Sequence, residues 1–157
     1  MDISEEIVQN FITANASAGD GVAFLCPQFE INDDGWKASA DFVVLYFLPR
    51  GPSMILMVEV SNSGGLGSIA TKADNYVRGD YRDRLRKQVT TLTNGLTQDW
   101  DVAFLGFVRT EELANTARRK FGAEAQDVHF ASIETAFNNG WWDIRSKGLL
   151  PILEGES

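Results

Sequence analysis

Cysteine, histidine and basic charge are all scarce in this chain, and each scarcity excludes something. A single cysteine, Cys26, cannot build an internal disulfide framework and fits a reducing compartment. It sits in the apolar run Val22-Ala-Phe-Leu-Cys26 and reads as an inert buried thiol. With one cysteine and one histidine, His129, a structural zinc site lacks ligands, and His129 has no serine or cysteine partner in a triad setting. No apolar run approaches the ~20 residues of a membrane span, so no membrane partner is expected. The N-terminal residues are acidic where a signal peptide would be basic, which points to a cytoplasmic protein. The 14 Lys and Arg face 22 Asp and Glu, a net charge of −8. That balance opposes nonspecific attraction to nucleic acid, so any such role needs a local basic surface.

What the chain does have is apolar content, at 44% with 11% aromatic, enough for a folded core. Its 157 residues are read as one domain, 1–157. Ile3, Ile7, Val8, Phe11 and Ile12 make a helical stripe over 3–13, with Ser4 as N-cap and Glu5 and Glu6 in the first turn. A strand from Val22 to about Phe29 is bent by Pro27, which suggests a sheet edge. Asn32-Asp-Asp-Gly35 is a turn. A long polar helix over 69–93 carries its stripe on Ile69, Ala73, Tyr76, Val77, Leu85, Val89 and Leu92, interrupted near Gly79. Trp100–Val108 reads as a buried strand. Thr110 caps a helix that stops at Gly122, Val128–Ala131 is a short strand, and Ser132 opens a last helix ending near Gly140. The order αβββαβαβα predicts an α/β domain around a mixed sheet.

Two apolar runs carry one acid each: Ala38-Ser-Ala-Asp41-Phe-Val-Val-Leu-Tyr-Phe-Leu-Pro49 and Met54-Ile-Leu-Met-Val-Glu59-Val-Ser61. Arg50-Gly51-Pro52-Ser53 between them reads as a turn. An antiparallel hairpin about residues 50 and 51 sets Asp41 opposite Val60, give or take one residue, with Glu59 diagonally across. Acids in apolar strands are costly unless paired, hydrogen-bonded or holding a metal. Two at one corner suit a hard cation, since Mg²⁺ is commonly held by one or two carboxylates plus waters and phosphate oxygens. The ordinary alternative is a pair of solvated acids at frayed strand ends.

This arrangement resembles the PD-(D/E)xK nuclease superfamily, with its restriction-endonuclease-like αβββαβ core. The resemblance covers about residues 1–109 and rests on strand context more than on letters. It implies that Asp41 and Glu59 hold Mg²⁺, with Mn²⁺ as a substitute, and that Glu6 on the first helix is a further ligand. Glu6 is equally suited to an ordinary helix-dipole role. The chain departs from the family at the motif lysine, which is Ser61, and at the proline before the first acid, which is Ala40. Serine cannot supply the positive charge that stabilises a developing phosphorane. Lys72, early in the following helix, is the relocated candidate, unless it is simply a solvated helix residue. Lys37 shares strand parity with Asp41 but lies ~13 Å upstream.

Six of the basic residues fall between Lys72 and Lys87. Arg78, Arg82, Arg86 and Lys87 are the candidates for tracking a phosphate backbone. Interleaved Asp74, Asp80 and Asp83 cut that segment from +6 to +3, which also fits a merely salt-bridged helix. Gln88 and Tyr76 fall where the resemblance implies a polar residue near the site. The Gly64-Gly-Leu-Gly67 loop fits no nucleotide-binding signature and reads as a border of a substrate cleft. Trp141-Trp142 is read as packing near the C-terminus. The functional expectation is Mg²⁺-dependent phosphodiester hydrolysis of nucleic acid, DNA rather than RNA. Asp41, Glu59 and Lys72 would be catalytic, and a homodimer is one expectation for a nuclease of this size. The alternative is a silent module of the same fold that binds nucleic acid or a protein.

Overall fold

A computed structural model describes residues 22–47, 53–95, 99–122 and 126–134. The expected first helix with Glu6, most of the 50–53 turn, nearly all of the last helix and Trp141-Trp142 lie outside these residues. Strands β1 (Val22–Asp33) and β2 (Trp36–Phe47) form a long hairpin. Its turn is Asp34-Gly35, with φ of 49° and 88°. Two successive left-handed residues make the tight hairpin reversal that Asp-Gly favours, because its twist matches that of the strands. Strand β3 (Ser53–Val60) is antiparallel to β2, and β4 (Trp100–Val108) and β5 (Val128–Ser132) follow in parallel. The result is one mixed sheet of five strands in the order β1-β2-β3-β4-β5, with β2 alone running against the rest.

The parallel steps are bridged by helices. Helices α1 (Ser68–Arg78) and α2 (Tyr81–Leu92) join β3 to β4, and α3 (Glu111–Phe121) joins β4 to β5. The single long helix expected over 69–93 is therefore two. Gly79 leaves the helix with extended backbone while its N–H still bonds the Asn75 carbonyl at 2.8 Å. A Cβ there would sit 2.7 Å from that same carbonyl oxygen, so only glycine makes this corner without a shift. Helix α3 begins as expected, the Thr110 Oγ1 accepting from the Leu113 N–H at 3.2 Å.

The three helices lie on one face of the sheet. Val43 and Leu45 of β2, Ile55 and Met57 of β3 and Phe104 of β4 meet Ile69, Ala73, Tyr76, Leu85, Val89, Ala114, Ala117 and Phe121 in one core. The alternate residues Phe42, Val44, Tyr46, Leu56, Val58, Leu105 and Phe107 are buried as well. Burial on both faces explains why the central strands read as continuous apolar runs rather than alternating ones.

The β2–β3 register needs a one-residue correction. Phe42 pairs with Val58 and Tyr46 with Met54, so continuing the ladder sets Asp41 opposite Glu59, not Val60. The difference decides the site. A slip of one residue sends a side chain to the other face, whereas directly opposed residues share a face. Asp41 and Glu59 thus follow Val43 and Met57 towards the helices.

Candidate carboxylate and lysine site

The ladder between β2 and β3 stops at Phe42 and Val58, and a side chain takes over from it. The Val60 N–H donates to Asp41 Oδ2 at 2.9 Å, so the carboxylate supplies the acceptor that the next rung would have provided. On the other flank, Gln28 would face Asp41 from β1. It adopts a left-handed φ of 49° and drops out of the β1–β2 pairing. Asp41 therefore lies in a double interruption of the sheet. Left-handed non-glycine residues are uncommon and cluster at functional sites. Pro27 hinted at a bend in β1, but nothing in the letters placed it beside the first acid.

Glu59 is 5% exposed at the end of β3. Lys72, in the second turn of α1, reaches over it: its Nζ lies 3.6 Å from Glu59 Oε1 and donates to the Ser39 carbonyl at 2.8 Å. At 3.6 Å the ammonium is an ion-pair partner but too distant for a hydrogen bond, so Oε1 is buried without a hydrogen-bond partner. The seating of α1 depends on what β4 lacks. Gly106 pairs with Glu59 across the β3–β4 ladder. A Cβ there would lie 3.0 Å from the Phe130 ring and 3.4 Å from Ile69 Cγ2. The missing methyl lets Ile69, 1% exposed, settle onto the sheet. Burial of a side chain that size is worth about 1.5–3 kcal/mol, and it fixes the first turns of α1 from which Lys72 projects.

Electrostatics mark Glu59 as the unusual group. Burial, then the neighbouring Asp41 charge, push its carboxyl up to about 8, and Lys72 offsets only part of the rise. Burial and then the Glu59 charge also raise the Tyr81 hydroxyl, which puts this tyrosine within electrostatic reach of the corner. Tyr81 heads α2 and packs edge-on against Trp36 with ring centroids 4.9 Å apart. Flanked by Asp80 and Arg82, it carries no local signal of the two acids.

Ser61, where the resemblance implies lysine, is buried and serves the loop. Its N–H bonds the Phe107 carbonyl at 2.9 Å, and its Oγ lies 3.1 Å from Ser63 Oγ, which donates to the Gly65 carbonyl at 2.6 Å. The loop before α1 is thus tied by its own serines.

The basic segment is distributed differently from a single phosphate-tracking row. Arg82 donates from Nε and Nη2 to Asp127 at 2.6 and 2.9 Å and from Nη1 to the carbonyls of Tyr76 and Val77. Its guanidinium also stacks 4.4 Å from the Tyr76 ring centroid. Arg86 holds the Trp100 carbonyl and Asp83, and Lys87 with Arg84 holds Asp33 at the hairpin tip. Arg78 pairs with Asp74 one turn away. Tyr76 donates to Asp127, while Gln88 pins β1 through the Asn32 N–H and the Glu30 carbonyl. These last two are occupied with holding elements together. His129 lies half-buried on β5, and burial lowers its imidazole below the usual range. Burial likewise raises the Cys26 thiol.

Among the described residues no group of three or more His, Cys, Asp and Glu gathers as a metal site, and no helix is long and apolar enough to cross a membrane. Comparison with protein-family models, with curated proteins and with solved structures finds no match for this chain.

Proposed function

We propose that the chain is a divalent-cation-dependent nuclease of the restriction-endonuclease-like kind, with Asp41, Glu59 and Lys72 as its working residues. The observation that carries this reading is Glu59 Oε1: a buried oxygen with no hydrogen bond, beside a second carboxylate and 3.6 Å from an ammonium. Left alone, two neighbouring acids in a dry corner repel each other, and one holds a proton near neutral pH. A hard cation relieves both costs, and Mg²⁺ with its waters and a phosphate needs no third protein carboxylate. Asp41 and Glu59 would hold it. Bound there, Mg²⁺ or Mn²⁺ would supply Lewis acidity and a more acidic water. Lys72 carries the positive charge that Ser61 lacks, and it does so from a helix rather than from the strand. The strand order, with β2 alone reversed, also fits the αβββαβ core that the resemblance implies.

Ser61 favours a second reading, a silent module, because the motif position is fully used in tying the loop. One experiment separates the two. In thermal denaturation at pH 8.5, Mn²⁺ at a hundred times its Kd should stabilise the protein by about 2.7 kcal/mol. The shift should vanish in Glu59→Gln, and labelled DNA should be cut only when the metal is present. A metal shift without cleavage of DNA or RNA selects the silent module. No shift and no cleavage removes the nuclease reading.

A further inference from the structure

We propose that Tyr81 is a further catalytic residue of the site, its hydroxyl donating to an oxygen of the phosphate that the cation and Lys72 hold. The proposal rests on the nuclease reading and adds an uncharged donor to it. Local geometry brings the ring to the corner. Gly79 turns the backbone out of α1, and its N–H on the Asn75 carbonyl at 2.8 Å folds the start of α2 back beside the last turn of α1. A Cβ at Gly79 would also lie 3.2 and 3.4 Å from ring carbons of Tyr81, so the missing side chain leaves room for the ring. Trp36 of β2 closes another side, edge-on at 4.9 Å, and Arg84 in turn stacks 4.4 Å from the Trp36 ring centroid. Tyr81 is only 8% exposed under these contacts. It still lines an open groove of about 430 Å³, together with Trp36 and Asn75.

Helix α1 links this hydroxyl to the acids. Lys72 and Asn75 stand three residues apart, ~4.5 Å along the axis, so their side chains are neighbours on one face. Lys72 reaches Glu59 at 3.6 Å, and the Asn75 side chain hydrogen-bonds Tyr81. The Glu59 charge, after burial, raises the Tyr81 hydroxyl, so the phenol keeps its proton throughout the neutral range. A phenol that stays protonated is a donor. The fate of that proton separates two tyrosines. Tyr76 donates to Asp127 at 2.6 Å, whereas among the described residues no carboxylate accepts from Tyr81. The cations of the groove are engaged elsewhere, Lys37 with Glu30 and Arg78 with Asp74. The divalent cation, the Lys72 ammonium and the Tyr81 phenol then take different oxygens of one phosphate. Charge that builds there in the transition state meets donors already in place.

The test is single-turnover cleavage of labelled DNA with Mn²⁺, comparing the full chain with Tyr81→Phe, which keeps the ring and loses only the hydroxyl. Tyr46→Phe is the control, since it removes a buried hydroxyl that has no hydrogen-bond partner on the other face of the sheet. Circular dichroism and the Mn²⁺ thermal shift accompany each protein. Loss of a donor to a charged oxygen should slow Tyr81→Phe by about 10- to 10²-fold, with its Mn²⁺ shift unchanged. Tyr46→Phe should cut within about two-fold of the wild type. A second readout separates contact with the phosphate from packing. The same DNA is made with one non-bridging oxygen of each linkage replaced by sulfur, as pure Rp or pure Sp strands. With one isomer the gap between wild type and Tyr81→Phe should close to about three-fold or less, because sulfur is a weak acceptor, and with the other it should persist. Equal rates for wild type and Tyr81→Phe on ordinary DNA overturn the assignment and leave the nuclease reading standing. A gap of the same size with both isomers does likewise, marking the hydroxyl as structural. Loss of the Mn²⁺ shift in Tyr81→Phe would put the hydroxyl at the cation rather than the phosphate, which also overturns it. A wild type that cuts neither DNA nor RNA removes the nuclease reading and the role of Tyr81 with it.

Discussion

Arg82 and Asp127 meet with every guanidinium nitrogen donating and both carboxylate oxygens accepting, whereas Asp41, Glu59 and Lys72 meet with one buried oxygen left over. Both clusters lie under the same helices. In the first, Arg82 and Tyr76 hydrogen bonds outweigh burial and hold the Asp127 carboxyl below its ordinary range. In the second, burial and a like charge outweigh Lys72 and carry Glu59 to about 8. A saturated cluster holds α1, α2 and the start of β5 together. An unsaturated one costs stability and is suited to a ligand that completes it.

The contrast breaks most sharply at the two cations. Lys72→Ala should lower metal-dependent cleavage by about 10² to 10³, or ~2.7–4 kcal/mol, with substrate affinity nearly unchanged. Single-turnover kinetics beside binding titrations measure both. Little rate loss would mean that Lys72 only neutralises Glu59. Arg82→Ala should instead cost about 2–4 kcal/mol of folding stability in denaturant unfolding, because Asp127 is left half-buried without its partner. Its effect on cleavage, measured well below the unfolding transition, should be small. An Arg82 variant that folds as well as the parent but loses nucleic acid would reverse the assignments of the two clusters.

A gentler probe is pH. The folded protein keeps a proton on Glu59 up to about 8, while an unfolded glutamate releases it near 4.5. Between those values the folded state holds the extra proton. This group's contribution to stability is therefore full below about 4.5, falls as pH rises and levels off above about 8. Glu59→Gln should flatten that decline and be more stable than the parent by about 1–3 kcal/mol at pH 9. Urea titrations at pH 5, 7 and 9 measure the difference. Parallel curves for the two proteins would show that Glu59 is not the strained group.

Much of this arrangement is legible in the letters. Apolar runs mark the central strands, Asp-Gly marks the hairpin, and Thr110 marks the start of α3. The pairing of Asp41 with Glu59 was within one residue of legible. It failed there because a turn centre read from Gly and Pro is uncertain by a residue, and one residue changes the face. The division of the basic residues was legible only in part, where Asp74 meets Arg78 and Asp83 meets Arg86 at helical spacing. Arg82 finds Asp127 at a separation of 45 residues and Lys87 finds Asp33 at 54, and no local pattern encodes such meetings. Gly79 was visible as an interruption, but its role as a corner depends on the carbonyl of Asn75. Lys72 was found only because a helix that starts against the end of β3 must carry its second turn past the acids.

The bond from the Val60 N–H to Asp41 Oδ2 makes the backbone a witness to the site. A single carboxylate closes the end of the β2–β3 ladder and faces Glu59 across it. Anything that draws charge from that carboxylate weakens its hold on the amide. The Val60 amide is then a reporter resonance: its chemical shift and hydrogen-exchange rate register occupancy of the corner without a label. Asparagine at position 41 retains an oxygen for that amide, while alanine removes it. Comparing the two separates the end of a strand from the edge of a site.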